Sequence, residues 1–236
     1  MLKVLYENKN AIVCVKPHGV LSQSGAVGAV EPNMLGLVSE HIGTEAGLIH
    51  RLDRPTGGII VFSKNKNTEG LLSSAVSDKE RCVKEYLAVV SGAPSEAEGE
   101  MRDLLFKDQR AGKSFVVSSH RRGAKEAMLS YKLLGSRIGE RGELSLVKIR
   151  LGTGRTHQIR VQFASRNMPV AGDGKYGSRE RMRGENAGAS PKDMIALYAY
   201  HLSLDCGAAK FDLFDIPDEK IYPFSLFSDI LKTEFV

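Results

Sequence analysis

The sequence predicts an α+β fold with a mainly antiparallel or mixed central sheet and flanking helices. Three observations carry this reading. Short β-rich runs recur along the 236 residues. Helical stretches fall among them without regular strand–helix alternation. No G-x-G-x-x-G or phosphate-loop pattern follows a strand, which disfavours a doubly wound nucleotide fold. The length fits one large domain or two small ones, and an apolar fraction of 42% is enough for a substantial core.

Taken in order, Val4 to Tyr6 and Ala11 to Val15 are β-rich runs separated by Glu7-Asn8-Lys9-Asn10, so the chain opens as a hairpin. Lys16-Pro17-His18-Gly19 closes it in a turn, and the Gly/Ser-rich stretch from Ser22 to Pro32 reads as a surface loop. Met34 to His41 has helical spacing. Pro55-Thr56-Gly57-Gly58 reads as a tight loop, followed by Ile59 to Phe62, an apolar run short enough to be a buried strand. Asn67 is the expected cap of a helix through about Lys79, with Leu71, Leu72 and Val76 inward. Lys84 to Val90 reads as a strand and Ala93 to Met101 as a Pro/Glu-containing connection.

From Lys107 to Lys125 the chain carries Lys107, Arg110, Lys113, Arg121, Arg122 and Lys125 against Asp108 alone, with Phe115-Val116-Val117 as a strand inside it. Ala127 to Leu134 and Glu143 to Leu151 alternate like half-buried strands. Arg155 to Arg166 reads as a helix capped by Thr156. Gly172 to Asp193 is a long polar loop, of the kind that is usually functional or disordered. Ile195 to Leu204 and Phe211 to Ile216 are strands, and Ser225 to Phe235 an amphipathic helix.

A net charge of +5 and a pI near 9.0 favour an anionic partner without naming it. Cys14, Cys82 and Cys206 lack metal-ligand spacing and read as free thiols in a reducing compartment. His41 and His50 also lack ligand spacing. No apolar run approaches a membrane span, and Lys3, Glu7 and Lys9 interrupt any secretory core, so a cytoplasmic protein without a membrane partner is expected.

Three stretches hold titratable groups on structured scaffolding: Asp53 between Arg51 and Arg54, Tyr86 behind Lys84, and Arg155 to Arg160. A stiff loop feeding a core strand suits a carboxylate that must be aimed. Taken alone, Asp53 also reads as a turn residue satisfied by its neighbours. Arg155, His157 and Arg160 at a strand-to-helix junction fit phosphate binding, and equally a solvated basic helix face.

His50-Arg51-Leu52-Asp53-Arg54-Pro55-Thr56-Gly57-Gly58 closely resembles the catalytic motif of RluA-type pseudouridine synthases. Lys16-Pro17-x-Gly19, Lys84-Glu85-Tyr86, Gly154 to Arg160 and Gly172-Asp173-x-x-Tyr176-Gly177 resemble that family's other motifs, in the same order. The resemblance implies a pseudouridine synthase catalytic fold over residues 1–236, as a single domain with two subdomains around a cleft and no separate RNA-binding domain. It implies Asp53 as the nucleophile, attacking the anomeric carbon or carbon 6 of a target uridine. Tyr86 would stack on the base and take part in removing the carbon-5 proton, and Arg160 would pair with Asp53. Arg51 would hold the flipped nucleotide, and Arg54, Lys84, Lys113, Arg155 and His157 join it as expected RNA contacts.

No cofactor or metal is implied, because the isomerisation is redox-neutral. The implied partner is ribosomal or transfer RNA, and nothing in the sequence demands more than a monomer. Gly57, Gln162 and Asn167-Met168-Pro169 depart from the family's frequent residues. Two other classes fit parts of the pattern: a non-catalytic RNA-binding protein of the same fold, and an Asp-dependent hydrolase. The hydrolase needs a second carboxylate near the first, and the motifs offer no obvious one.

Overall fold

In the computed structural model, residues 2–24, 31–119, 122–184, 190 and 193–235 are described. The remainder takes in residues 25–30 and 185–189 of the two expected loops, and Arg121 of the basic segment. The chain opens with β1 (Lys3–Glu7) and β2 (Ala11–Lys16), then α1 (Met34–Ile42), β3 (Gly47–Leu48), β4 (Gly57–Ser63) and α2 (Lys66–Ser77). Then come β5 (Cys82–Ser91), β6 (Glu98–Asp108), β7 (Lys113–Val117), β8 (Ala124–Gly139), β9 (Gly142–Leu151) and α3 (Gln158–Ala164). Finally β10 (Leu197–Cys206), β11 (Ala209–Phe214) and α4 (Ser228–Phe235) complete the chain.

The strands form one 11-stranded sheet in the order β1-β2-β4-β10-β5-β9-β8-β6-β7, with β11 on β10 and β3 on β4. Among the described strands only the β10–β4 pair is parallel, so the mainly antiparallel, mixed sheet is as expected. Successive side chains of a strand point to opposite faces, and the centre of this sheet is covered on both. Ile12, Cys14, Ile60 and Phe62 pack in one cluster with residues of α1, α3 and α4. Ala11, Val13, Ile59 and Val61 pack in another with Leu72, Ala75 and Val76 of α2. Two-sided burial is why β4 reads as an unbroken apolar run rather than an alternating one.

Four expectations are corrected. Gly57 and Gly58 lie inside β4 rather than in the loop before it. A Cβ at Gly58 would stand 2.3 Å from the Ala199 carbonyl oxygen, so the parallel β10 approaches where only glycine fits, at a φ of 114°. Asn65, not Asn67, caps α2 by accepting from the Asn67 N–H; Leu71 is exposed and Ala75 buried in its place. The Ala93 to Met101 connection ends early, because β6 starts at Glu98. The expected 155–166 helix is the shorter α3. Its N-cap position is His157 in the left-handed region, with no side-chain cap from Thr156.

Candidate active site

The loop that carries Asp53 is clamped from the 16–22 segment. Lys16, wholly buried, donates its ammonium hydrogens to the carbonyls of Pro17, Val20 and Arg54 at 2.9, 2.7 and 3.1 Å. Gly19 N–H donates to the Arg54 carbonyl and His18 Nδ1 to that of Pro55. Ser22 Oγ donates to the Leu52 carbonyl and accepts from the Leu52 N–H. Within the loop, Thr56 N–H donates to the Asp53 carbonyl at 3.0 Å. Backbone groups held this densely fix the direction of the Asp53 side chain.

Register brings the other residues to it. Gly58, just past the loop, lies beside Ala199 of β10, which lies beside Tyr86 of β5, which lies beside Ile149 of β9. The chain leaves β9 through Gly152 to Thr156 and turns into α3, where Gln158 Oε1 accepts from Thr153 Oγ and the Arg155 N–H. That turn delivers Arg160, 4% exposed, with Nη1 donating 2.9 Å to Asp53 Oδ2. Its Nε and Nη2 donate to the two oxygens of Asp173 at 2.6 and 2.9 Å. Burial lowers the Arg160 pKa, but its bonds to Asp173 and Asp53 raise it by more, so the guanidinium stays charged.

Asp53 lies on the walls of two spaces that share several residues. A groove of about 860 Å³ is lined by Arg51, Asp53, Lys84, Tyr86, Lys107 and Arg155, among others. A smaller space of about 90 Å³ beside it has Asp53, Tyr86, His157, Arg160, Ile159 and Leu197 among its walls. Tyr86 is nearly buried, and desolvation followed by the Asp53 charge pushes its phenol pKa well up. His157 Nε2 stands 3.9 Å from Asp53 Oδ2.

Seven of the nine expected residues line one or both spaces: Asp53, Tyr86, Arg51 and Arg155 line both, Lys84 the groove, and His157 and Arg160 the smaller one. Lys84 lines the groove while its ammonium donates to the Val76 carbonyl at 2.7 Å. Arg54 and Lys113 line neither space. Arg54 pairs with Glu31 at 2.7 Å, and Lys113 lies over the Tyr176 ring at 4.8 Å.

Asp173, Tyr176, Lys16 and Ser22 were given no role by sequence reasoning. Their signal was limited to the Lys16-Pro17 turn and the Gly172 to Gly177 segment. The described part of the 172–193 loop is built in: Asp173 and Tyr176 are buried, and a short 3-10 turn spans Gly174–Tyr176. Asp173 is a second carboxylate close to Asp53, yet both its oxygens accept from Arg160 and it is 1% exposed. It therefore lacks the free, solvent-facing oxygen that an acid or base of a hydrolase would use. Among the described residues no group of His, Cys, Asp or Glu is placed to hold a metal, and no helix is long and apolar enough to cross a membrane.

Two solved structures share the fold. Human RNA Pseudouridylate Synthase Domain Containing 1 superposes with a TM-score of 0.73 at 21% identity, covering 93% of this chain and 84% of that one. Domain Containing 4 gives 0.69 at 23% identity, covering 98% and 92%. In sequence, ribosomal large subunit pseudouridine synthase D of Borreliella burgdorferi is 32% identical over 223 residues, 90% of this chain and 64% of that protein. Synthase C of Rickettsia felis is 31% identical over 179 residues, 76% of this chain and 57% of that protein. The chain thus spans roughly three fifths of the length of these relatives. The sequence model described as RNA pseudouridylate synthase matches residues 10–165. That span contains the Asp53 loop, Tyr86 and Arg160, and by it the chain belongs to the RNA pseudouridylate synthase family.

Proposed function

We propose that this protein isomerises specific uridines in RNA to pseudouridine, with Asp53 as the nucleophile. The observation that carries the reading is the 2.9 Å Arg160–Asp53 pair where a polar groove and a smaller space share walls, with Tyr86 on the wall of both. A carboxylate enclosed by substrate is desolvated and tends to take up a proton; a guanidinium at hydrogen-bond distance opposes this and cannot itself lose its proton. Asp53 attacks the anomeric carbon or carbon 6. The bond from the anomeric carbon to N1 breaks, the uracil turns, carbon 5 joins the sugar, and the bond to Asp53 breaks with its electron pair returning to the carboxylate. Carbon 5 then loses its proton and N1 ends protonated. Electrons balance without an oxidant, reductant or cofactor.

Tyr86 supplies the stacking face for the extruded base. Its raised pKa keeps it a neutral phenol, which favours stacking over service as the base for carbon 5. Reaching a stacked uridine costs a few kcal/mol of unstacking. Arg51 and Arg155 on the groove offset this by holding flanking phosphates, with Lys84 packing behind them. Arg54 and Lys113 contact RNA further out, beyond the groove. The groove is far larger than the space beside it and suits nucleotides on either side of the target. Relatives named for the large ribosomal subunit favour ribosomal RNA over transfer RNA as the substrate. The continuous sheet supports one catalytic domain over this chain; its action as a cytoplasmic monomer is part of the same proposal.

Tritium release from RNA labelled at carbon 5 of uridine and lacking pseudouridine tests the reading. Wild type releases label, and Asp53→Asn releases none while binding the same RNA within a few fold. Tight binding with no release by wild type on ribosomal RNA, transfer RNA or ribosomal particles would make this an RNA-binding protein instead.

A further inference from the structure

Tyr176 lies outside the residues assigned above, yet its hydroxyl joins three elements. The Ser114 N–H of edge strand β7 donates to it at 2.9 Å, and His157 Nδ1 lies 2.8 Å away on its other side. A backbone N–H can only donate, so the phenol oxygen is the acceptor from Ser114. Among the described residues the phenolic proton has one place to go, which is Nδ1 of His157. An imidazole that accepts at Nδ1 and is neutral carries its proton on Nε2. Nε2 is the ring atom facing Asp53, 3.9 Å from Oδ2.

We propose that Tyr176 is a positioning residue: by donating to Nδ1 it holds His157 as the neutral Nε2–H tautomer, a donor aimed at the nucleophilic carboxylate. The proposal rests on the reading of Asp53 as nucleophile.

Neighbouring geometry supports it. The Tyr176 ring meets the imidazole edge-on at 88°, and the Arg160 guanidinium lies over the same ring at 5.2 Å. Ser114 Oγ donates to the Thr156 carbonyl at 2.7 Å, tying β7 to the residue before His157. His157 itself holds a φ of 55°, a left-handed conformation that histidine adopts more readily than most residues other than glycine. The charged groups facing it are Asp53 from the loop before β4, Arg160 from α3, and Asp173 and Lys175 from the 172–177 segment. Lys113 of β7 rests on the other ring of the pair. Burial first, then Arg160 and Lys175, outweigh the two carboxylates and lower the His157 pKa. At 3.9 Å the Nε2–H lies just beyond hydrogen-bond length of Asp53 Oδ2, so a small movement on substrate binding would let it donate there, while Arg160 remains the cation that holds the carboxylate ionised.

Two experiments decide it. Nitrogen-15 NMR of ring-labelled histidine reads the tautomer without any turnover. Near neutral pH the His157 Nε2 of wild type should show the protonated shift and Nδ1 the unprotonated one. In Tyr176→Phe, which keeps the ring, the two should move towards an averaged value. A protonated Nδ1 in wild type, or an unchanged tautomer in Tyr176→Phe, overturns the proposal even if the enzyme is fully active.

The second experiment compares His157→Gln with His157→Asn in the tritium assay. The glutamine amide reaches the Nε2 position and the asparagine amide stops at Nδ1, although asparagine tolerates the left-handed backbone better. Glutamine should retain roughly 10-fold more turnover than asparagine, a modest share of what a well-placed donor contributes. Asparagine equal to or better than glutamine would mean that backbone shape, not the donor, is what His157 supplies. Absence of turnover in wild type would instead remove the pseudouridine reading and leave the NMR result standing.

Discussion

Arg160 is shared between carboxylates of unequal burial, since the Asp53 side chain is 28% exposed and that of Asp173 1%. Asp53 stays usable because Asp173 takes two of the guanidinium's three donating nitrogens and leaves the third to Asp53. Removing the inner partner leaves the buried cation with Asp53 alone, and breaking a buried pair from one side costs about 3–5 kcal/mol. Asp173→Asn is therefore expected to lower the urea unfolding free energy by about 3 kcal/mol. The double variant Arg160→Met with Asp173→Leu should regain most of that stability while remaining inactive, because apolar residues of similar volume replace such pairs at little cost. A single variant as stable as wild type would show that Arg160 is well solvated without Asp173. Sequence made the outer half of this arrangement legible: Asp53 and Arg160 stand in motifs whose resemblance pairs them. The inner half was not legible, since nothing about Asp173 in a Gly-rich, charged segment says that it is buried against α3.

Strand β4 explains one departure from the family pattern. A Cβ at Gly57 would lie 2.8 Å from His18 Nε2 and 2.9 Å from Tyr198 Cε2. Neither ring can swing away easily, because His18 Nδ1 donates to the Pro55 carbonyl and the Tyr198 hydroxyl to Asp215. Gly57→Ser should therefore cost about 1–3 kcal/mol by overpacking, and His18→Ala in the same chain should recover part of it as a measurable coupling. Gly58→Ala meets the Ala199 backbone, so it should be the more destabilising and respond to no side-chain substitution. Equal costs for the two glycine variants would contradict this account of the β4–β10 approach. At this scale the sequence was informative where burial writes a pattern, as in β2, β4, β5, β9 and β10. It was least informative for β6, whose Glu98 and Glu100 fall in the expected Ala93 to Met101 connection. Pairing with β7 and β8, and burial of Met101 and Leu105, make it a strand instead. The short α3 was over-extended because its ends are set by positive φ at His157 and Asn167, which side-chain periodicity does not report.

Across the whole molecule, histidines oppose one another in their pH dependence. Burial lowers the pKa of His18 to about 4 and that of His50 to about 3. Below the unfolded value of about 6.5 the unfolded chain binds protons that these two refuse. Stability must then fall as pH drops from about 6.5 towards 4, by about 1.4 kcal/mol per pH unit for each proton. His201 acts in the other direction. Burial lowers its pKa, but bonds to Glu85 at 2.9 Å and Asp212 at 2.6 Å raise it by more. Its contribution is complete below about pH 6.5 and is lost as pH rises through the folded value. Glu85, held down to about 2 chiefly by that same histidine, stays ionised across the whole window. The urea unfolding free energy at a series of pH values should therefore fall on the acid side through His18 and His50, while above neutrality the loss at His201 is opposed by Lys16, whose burial lowers its folded pKa to about 7. His18→Asn keeps a donor for the Pro55 carbonyl and should reduce the acid-side slope by close to one proton. His201→Gln should remove the His201 loss on the alkaline side and leave the slope between about pH 6.5 and 5 to the buried histidines, while Glu85, freed of its histidine, takes up its proton at higher pH than in wild type. An unaltered acid slope in His18→Asn would mean that His18 titrates alike in both states, and a persistent alkaline decline in His201→Gln would place that loss on another group.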